Sequence, residues 1–463
     1  MSLRIIGIRH RRKKTAEGEA RPTTVAIKES GDFVCHNLET ETDELDFLMA
    51  RFPTDWEPVG DTDVEWFDAE KSPNGLRPHH CKWRKAKEEE ISTVRQNHIR
   101  QIINQKGMPV TERLTKIPIK FDGLKSGDKV AMVLGGSGDR FAAALSRRGE
   151  EIGAETFRLP PFSLHKERGQ KSKDDDHLTL AELLEKKPKL FYKLGPKDRD
   201  TIRVKEALAL RQDAQKARIG CEQRLYQSLV GKIFLSEQGK YPEGLIEDQY
   251  DKLKASDTIL QGLIAEEELR NKELEKVVVG LQIWKEVFET IEGFGKRIAA
   301  ALISAIGDIR RFAVPVNYNG ANTSEERKNR LFKAINQTLA KVKHQCGAHI
   351  SADGTFPRRQ TGQVANWSPM ARQGLYLLCD QFNRRPGSEW GGKLLAQKAK
   401  YRQTHPEPVK KEVEIRKNGK KVIKTVTLYT DGHIHKMGLK WCATKFVEWM
   451  ARQWLKLEKV YEN

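Results

Sequence analysis

Two glycines and two cations stand close together past the middle of the chain. Gly293 and Gly295 precede Lys296 and Arg297 in the run I-E-G-F-G-K-R, which joins two helical patterns. Glycines so close are poor helix interior, because each costs about 1 kcal/mol relative to alanine, and they suit a tight turn with positive φ and a close backbone approach. Such a turn presents free N–H groups beside two cations, which is a phosphate-holding geometry. An ordinary helical hairpin is the alternative.

Three consecutive carboxylates, Asp174 to Asp176, lie in the run K-S-K-D-D-D-H-L-T-L-A-E-L-L of residues 171–184. Carboxylates that converge on Mg²⁺ ions are what two-metal phosphodiester chemistry requires. The alternative, which the spacing favours, is an acidic first turn that opens the following helix and interacts well with its dipole.

Metal-binding residue types occur at His79, His80 and Cys81, with Asn97 and His98 further along. Their spacing fits neither a zinc site nor an HNH nuclease, and no acidic partner stands at the expected place. The sequence alone therefore predicts no metal ligand. The six cysteines form no C-x-x-C pair, which indicates reduced thiols rather than disulfides or a zinc ribbon.

The whole chain has 463 residues and a formal net charge of +19. This length predicts two to four domains, and the charge indicates a polyanionic partner, nucleic acid before an acidic membrane surface. No apolar run of about eighteen residues occurs, and the N-terminus lacks an apolar segment suited to secretion. We therefore expect no membrane partner and a cytoplasmic, nucleoid-associated protein of a prokaryotic or viral host.

The N-terminal part, residues 1–195, shows α/β order. Three strand patterns and a helix fill residues 1–52, and a strand, a G-G-S-G turn and a helix return at 128–160. Residues 53–112 look like an insertion punctuated by prolines, with a helical piece expected from about Trp83 to Asn104. The fold class predicted for the chain is α/β followed by all-α.

Residues 196–290 read as a helical arm. Leucines and a phenylalanine recur every seven residues in its second half, with Glu267 interrupting them, which predicts an antiparallel coiled coil. Arg211, Arg218 and Arg224 recur near one face of the first half. That face either contacts nucleic acid or is simply solvated.

Residues 291–463 read as a helical domain with one β-hairpin near 410–430. Alternating residues flank Asn418-Gly419, a strong hairpin signal. Lys417, Lys420 and Lys421 surround that turn, so the hairpin suits a nucleic-acid backbone. Lysines that keep an edge hairpin soluble are the alternative.

Segments 171–184, 291–312 and 355–378 carry a resemblance to a known group of proteins. They resemble the RNA-guided DEDD transposases of insertion sequences, the Nop domain of box C/D ribonucleoproteins and the Tas proteins of tandem interspersed guide RNA (TIGR) systems. The resemblance covers roughly residues 1–50 and 128–460. It implies an N-terminal ribonuclease H-like (RuvC-type) domain, a dimerisation arm and a helical RNA-binding domain.

The transposases carry four acidic metal ligands and a serine nucleophile. At the matching acidic positions this chain has Arg9, Gly135, Lys173 and Asp176, and Asp353 stands in the serine place. A cation cannot ligate a metal, and one carboxylate cannot hold two ions. The resemblance therefore implies a degenerate nuclease domain without catalytic residues. Mg²⁺ enters only if a relocated site around Asp174 to Asp176 is active.

The resemblance also implies RNA contacts in the run around 355–378, where cations suit phosphates and an aromatic ring suits base stacking. Core packing is the alternative for the tryptophan. The RNA-contacting residues expected there are Arg358, Arg359, Gln360, Asn366, Trp367 and Arg372.

Together these features predict a guide-RNA-binding homodimer, joined through the arm and directed to DNA by base pairing, without nuclease activity of its own. Three alternatives stay open. They are an active nuclease or transposase with a shifted acidic site, an RNA scaffold of the Nop type, and a DNA-binding repressor derived from a transposase.

Overall fold

The computed structural model describes residues 4–12, 19–60, 64, 76–104, 106–239, 241–350, 356–358, 365–417 and 420–461, and side chains within these ranges except at 413–422 and 424. The chain is a mixed α/β protein, in agreement with the predicted class. It divides into two compact units, Met1–Gly195 and Pro196–Asn463. No described helix is both long and apolar enough to cross a membrane.

The first unit contains ten strands and five α-helices among its described residues. The strands are β1 (Ile5–Arg9), β2 (Thr23–Glu29), β3 (Asp32–Leu38), β4 (Phe52–Pro58), β5 (Lys82–Lys85), β6 (Ile99–Ile103), β7 (Pro109–Asp122), β8 (Lys129–Val133), β9 (Glu155–Leu159) and β10 (Tyr192–Lys193). The helices are α1 (Glu41–Leu48), α2 (Glu88–Thr93), α3 (Asp139–Ile152), α4 (Pro161–Arg168) and α5 (Asp176–Lys186).

The main sheet of this unit has the order β10-β9-β8-β1-β2-β3. Strands β1, β2 and β3 pair antiparallel to one another, whereas β8 and β9 continue the sheet parallel to β1. Side chains of β1 alternate between two cores: Ile6 and Ile8 join one, and Ile5 joins the other. This alternation follows from the two-residue period of a strand and buries β1 on both faces.

Gly7 lets α5 lie directly against β1. A Cβ atom built at Gly7 would be 1.9 Å from the carbonyl oxygen of His177. We expect Gly7→Ala to lower the free energy of unfolding of the first unit by about 2 kcal/mol, because the helix must move away from the strand. Denaturant melts followed by circular dichroism would measure this. Gly31→Ala is not a fair control because Gly31 has a φ of +104°. Gly60→Ala, which meets nothing within 4 Å, should cost far less.

The predicted insertion forms a second sheet, with β7 between β4 and β5 and with β6 also paired to β7. The helix expected from Trp83 to Asn104 is wrong. Only α2 is α-helical there, and β6 forms a hairpin with β7 in which Ile102 faces Val110. The glutamates at 88–90 favour helix and open α2, whereas β6 contains three isoleucines, which suit a strand paired with β7. The sheet also runs past residue 112, because β4 pairs with β7 up to Asp122.

The second unit contains eight α-helices and one two-stranded sheet among its described residues. The helices are α6 (Pro196–Phe234), α7 (Ile246–Ser256), α8 (Thr258–Gly280), α9 (Lys296–Ile306), α10 (Ser324–Gln345), α11 (Pro369–Asn383), α12 (Glu389–Thr404) and α13 (Asp431–Leu457). The strands are β11 (Val409–Lys417) and β12 (Lys420–Leu428).

The arm is an antiparallel pair in which α6 runs along α8. Leu260 and Leu274 of α8 lie on the predicted seven-residue period and are fully buried, as is Val278 beside them. The second half of the arm is interrupted at Asp257. The side chain of Asp257 caps α8 by accepting a hydrogen bond from the backbone N–H of Leu260 at 2.7 Å. The second half is therefore two helices, α7 and α8.

The core of the second unit is helical, and α13 crosses it with Phe446, Val447 and Met450 fully buried. Strands β11 and β12 form the predicted hairpin, with Lys417 facing Lys420 in the register. This prediction is confirmed, and its two-residue connection, Asn418-Gly419, lies outside the described residues.

Candidate functional site

The structure brings Arg9, at the end of β1, to the carboxylates of 174–176. Its Nη1 lies 2.6 Å from Oδ1 of Asp174, and its Nη2 donates to Oγ1 of Thr24 at 2.9 Å. Arg21 also contacts Oδ1 of Asp174. These two arginines hold the pKa of Asp174 below its ordinary value, first through the hydrogen bond from Arg21. Positive charge therefore lies where a metal ion would have to bind Asp174.

Asp176 is buried at the start of α5 and faces Arg168 at the end of α4. The guanidinium binds both carboxylate oxygens, Nε to Oδ1 at 2.6 Å and Nη2 to Oδ2 at 2.7 Å. This bidentate geometry is the strongest form of an arginine–carboxylate pair. It engages the one acidic residue that matches the transposase pattern.

The remaining positions of the acidic pattern offer no carboxylate. Gly135 has a φ of +87° in the strand-to-helix turn after β8, and Lys173 is an exposed residue of the turn before α5. In the turn after β8, Oγ of Ser137 lies 3.0 Å from Nδ1 of His10, which follows β1. Asp353, in the serine place, lies outside the described residues. The spacing of residues in the sequence does not predict that Arg21 and Arg168 pair with these carboxylates. Both arginines are brought to Asp174 and Asp176 only by the folding of the first unit.

The glycine turn before α9 is present, but only one glycine needs its special conformation. Gly293 has a φ of +84°, and a Cβ atom there would be 3.1 Å from Cβ of Gln381. Gly295 has an ordinary φ of −71° and caps α9, so the expectation of positive φ is wrong at Gly295. Lys296 donates to Glu275 at 3.2 Å, and Arg297 is exposed.

Two of the three arm arginines belong to the helix pair rather than to an open face. Glu267 accepts from Nη2 of Arg211 at 2.8 Å and from Nε of Arg218 at 2.5 Å. Arg211 is buried, and burial is the first cause that lowers its pKa. Glu267, which interrupts the leucine period, is thus the charged centre of the pair. The prediction that Arg211 and Arg218 form an RNA-facing stripe does not fit these contacts, and only Arg224 is exposed.

Glu267→Gln tests this structural role. We expect it to lower the free energy of unfolding by about 2 kcal/mol, because two arginines largely shielded from water would lose their carboxylate. Glu273→Gln is the matched control, since Glu273 is exposed and pairs with Arg270 three residues before it on the same helix, and its loss should change stability by less than about 0.5 kcal/mol. Thermal melts would measure both. Equal effects of the two variants would contradict the assignment.

Trp367 packs in the core. It is 8% exposed, and a Cβ atom at Gly347 would lie 2.7 Å from its ring. The prediction that it stacks on bases is therefore wrong, because its face is covered. The guanidinium of Arg372 lies 4.9 Å from the Trp367 ring centroid and 5.5 Å from that of Phe356. Asn366 is exposed, and Arg359 and Gln360 lie outside the described residues.

Arg358 and Arg372 meet two lysines of α13, forming what we call the cationic cluster: Arg358, Arg372, Lys436 and Lys440. The lysines are exposed and four residues apart, so they share one helix face. Nζ of Lys440 lies 5.4 Å from the Phe356 ring centroid. Partial loss of hydration, then Arg358, Arg372 and Lys436, lower the pKa of Lys440, although its side chain is largely exposed. Burial, then Arg358, likewise lower the pKa of Arg372.

Within the described part of the chain, no carboxylate forms an ion pair with any member of the cationic cluster. The cluster is thus a place where positive groups repel one another and a bound anion would relieve that repulsion. Sequence reasoning identified Arg358 and Arg372 and missed the lysines. Their spacing of four on a helix was the only available signal.

The hairpin places Lys417, Lys420 and Lys421 at its tip by register, with Arg416 facing Lys421. Their side chains lie outside the described part, whereas Lys410 and Lys411, near the base, are exposed.

No protein-family model and no curated protein matches this chain. Its function is therefore inferred from the residues of these sites.

Proposed function

We propose that this chain is a guide-RNA-binding protein that acts as a dimer, is directed to DNA by base pairing and has no nuclease activity of its own. The cationic cluster is the observation that carries the RNA-binding part of the proposal, and the guide and DNA parts rest on the resemblance described above. Four cations without a described carboxylate partner suit a phosphate backbone, which supplies most of the affinity between proteins and nucleic acids.

Single-stranded or structured RNA suits this cluster better than a duplex groove. Phe356 is half-buried and lies within 5.5 Å of both Arg372 and Lys440, so the cationic surface includes an aromatic ring. RNA-binding surfaces combine such rings with cations that follow the backbone. Arg297, which is exposed at the start of α9, offers a further cation in the second unit, whereas Lys296 is paired with Glu275.

The first unit supports the absence of nuclease activity. An antiparallel start followed by parallel strands is the arrangement that a ribonuclease H-like domain would have. At the edge where its acidic ligands would converge, Asp174 is paired with Arg9 and Arg21, and Asp176 with Arg168. A metal ion would have to displace these guanidinium groups, so a relocated Mg²⁺ site around 174–176 is disfavoured.

The free end of the arm supports dimerisation. Phe234, Leu235, Tyr241 and Leu245 are each more than 60% exposed around the turn that follows α6. Exposed apolar side chains grouped within one short segment are typical of a contact surface. A second copy of the chain is the partner that the dimer proposal requires, and the oligomeric state in solution tests it.

The deciding experiment is to purify the protein from its host under native conditions and sequence the RNA that co-purifies. We expect one small RNA species of uniform length with repeated flanks, retained in moderate salt. RNA of mixed length that is lost as the salt concentration rises would overturn the proposal, because it would show nonspecific binding to a highly basic protein.

The same preparation separates the alternatives. RNA of one species that confers no binding to complementary DNA would favour an RNA scaffold. Binding of one duplex sequence without RNA would favour a repressor derived from a transposase. Cleavage that requires Mg²⁺ and Asp176 would favour an active nuclease.

A further inference from the structure

Asp46, His79 and His80 form a compact group at the join between α1 and the second sheet of the first unit. Oδ2 of Asp46 lies 2.8 Å from Nε2 of His79 and 3.0 Å from Nε2 of His80. The two histidines are neighbours in the short turn Pro78–His80 that precedes β5, and Asp46 belongs to α1. One potential ligand atom from each residue lies within 4.8 Å of the others.

His80 is buried, yet its ring is poorly satisfied. Its side chain is 1% exposed, and neither Nδ1 nor Nε2 has an aligned hydrogen-bond partner among the described residues. The contact of Nε2 with Asp46 is close in distance but lacks hydrogen-bond alignment. Leaving a buried polar group unpaired costs about 1–3 kcal/mol. A ligand between His80 and Asp46 would remove that cost.

We propose that Asp46, His79 and His80 bind a divalent first-row transition metal, and that Zn²⁺ fits the group best. Two imidazole nitrogens and one carboxylate oxygen are a typical donor set for such ions. Donors about 2.0–2.2 Å from a tetrahedral ion lie about 3.3–3.6 Å apart, so the two distances above would have to lengthen by only about half an ångström for an ion to enter. This inference concerns a different part of the chain from the cationic cluster and does not depend on the proposed function.

The surroundings hold the three donors in place. Nε of Arg51 donates to Oδ1 of Asp46 at 2.6 Å, which orients the carboxylate and leaves Oδ2 directed at the histidines. The indole N–H of Trp56 donates to the carbonyl of His80 at 2.9 Å and fixes the turn. Groups that orient the ligands in this way are a regular feature of metal sites.

Exposure suggests how the ion enters. Asp46 and His80 are almost fully buried, whereas the side chain of His79 is 44% exposed. The ion would reach the group from the His79 side and keep a water molecule there as a further ligand. Bound in this way, it would join α1 to the turn before β5 and tie the second sheet to the main one.

Metal titration of the full-length protein tests the proposal. The protein is first dialysed against a chelator, then given excess Zn²⁺ and dialysed against buffer. We expect one equivalent of Zn²⁺ per chain by elemental analysis. Addition of Co²⁺ to the stripped protein should produce visible absorption. His79→Ala should lower the affinity for Zn²⁺ at least about tenfold. Because His79 is partly exposed, this variant should fold, and its circular dichroism spectrum would verify that.

Two controls identify the site. His165→Ala changes an exposed histidine of α4 in the same unit and should leave binding unchanged. His344→Ala changes a histidine that stacks on His349 at 4.2 Å in the second unit and should do the same. Equal binding by wild type and His79→Ala would overturn the proposal, as would loss of binding only in His344→Ala. A wild-type protein that binds no Zn²⁺ after chelation would also overturn it.

Discussion

Replacing Lys436 and Lys440 with glutamine is expected to lower the affinity for single-stranded RNA at least about a hundredfold. Each lysine would lose a charge-assisted contact with a phosphate, and such contacts contribute about 1.5–3 kcal/mol each. Both side chains are exposed on α13, so the variant should fold normally. Fluorescence anisotropy with a labelled RNA would measure the change.

The salt dependence of binding distinguishes this contact from a general effect of charge. Removing two phosphate contacts should reduce the slope of log K against log salt concentration by about 1.4, since each contact with single-stranded nucleic acid contributes about 0.7. Lys445→Gln with Lys456→Gln is the matched control, because it removes the same charge from the same helix. Lys445 already pairs with Glu448 at 3.0 Å. An equal loss of affinity in both double variants would contradict the cluster assignment.

The pKa of Lys440 gives a second, independent measurement. Burial and three neighbouring cations lower it in the free protein. A bound phosphate would favour the charged amine, so binding should raise this pKa and cause net proton uptake at alkaline pH. Calorimetry in buffers of different ionisation enthalpy would detect that uptake. No proton uptake would mean that the RNA does not contact Lys440.

Local patterns in the sequence were enough to predict several elements. The alternation around Asn418-Gly419 predicted β11 and β12, and the apolar alternation of Ile5, Ile6 and Ile8 predicted β1. These elements depend on turn chemistry and on the two-residue period of strands, both of which are local. Strand β6 was not predicted, because the helix-favouring glutamates of α2 precede it; its own three isoleucines favour a strand, and pairing with β7 sets its position.

The roles of single charged residues were harder to predict, since ion pairs form across the fold. Arg211 and Arg218 share a helix face with Arg224, but Glu267, which engages the first two, comes from α8. Only the packing of α6 on α8 shows that these arginines stabilise the arm. Conversely, Lys436 and Lys440 gain significance only when the fold places Arg358 and Arg372 beside them.

The acidic positions of the first unit could be predicted in part from the sequence and in part only from the fold. Sequence resemblance marked Arg9, Gly135 and Lys173 as substituted and Asp176 as retained, but it could not show what Asp176 does. Its bidentate partner, Arg168, is eight residues earlier at the end of α4. The same carboxylate is thus a metal ligand in one hypothesis and half of an ion pair in the other, and these roles respond differently to substitution.

Asp176→Asn is therefore expected to destabilise the protein, to leave its affinity for RNA unchanged and to remove no cleavage activity. Both partners of the ion pair have side chains 11% exposed, and removing one partner of a buried pair costs about 3 kcal/mol, because the other charge loses its compensation. Denaturant melts of the first-unit transition would measure the loss. Asp175→Asn is the control, because Asp175 is exposed and its side chain does not cap α5.

A nuclease with a shifted site predicts the reverse outcome for Asp176→Asn. A carboxylate that binds Mg²⁺ is usually costly to stability, so its removal would leave unfolding unchanged or raise stability while cleavage disappears. Measuring stability and Mg²⁺-dependent cleavage of nucleic acid on the same preparations separates the two roles. A loss of about 3 kcal/mol, with RNA affinity retained below the melting transition and no cleavage in either protein, fits an ion pair rather than a metal ligand at Asp176.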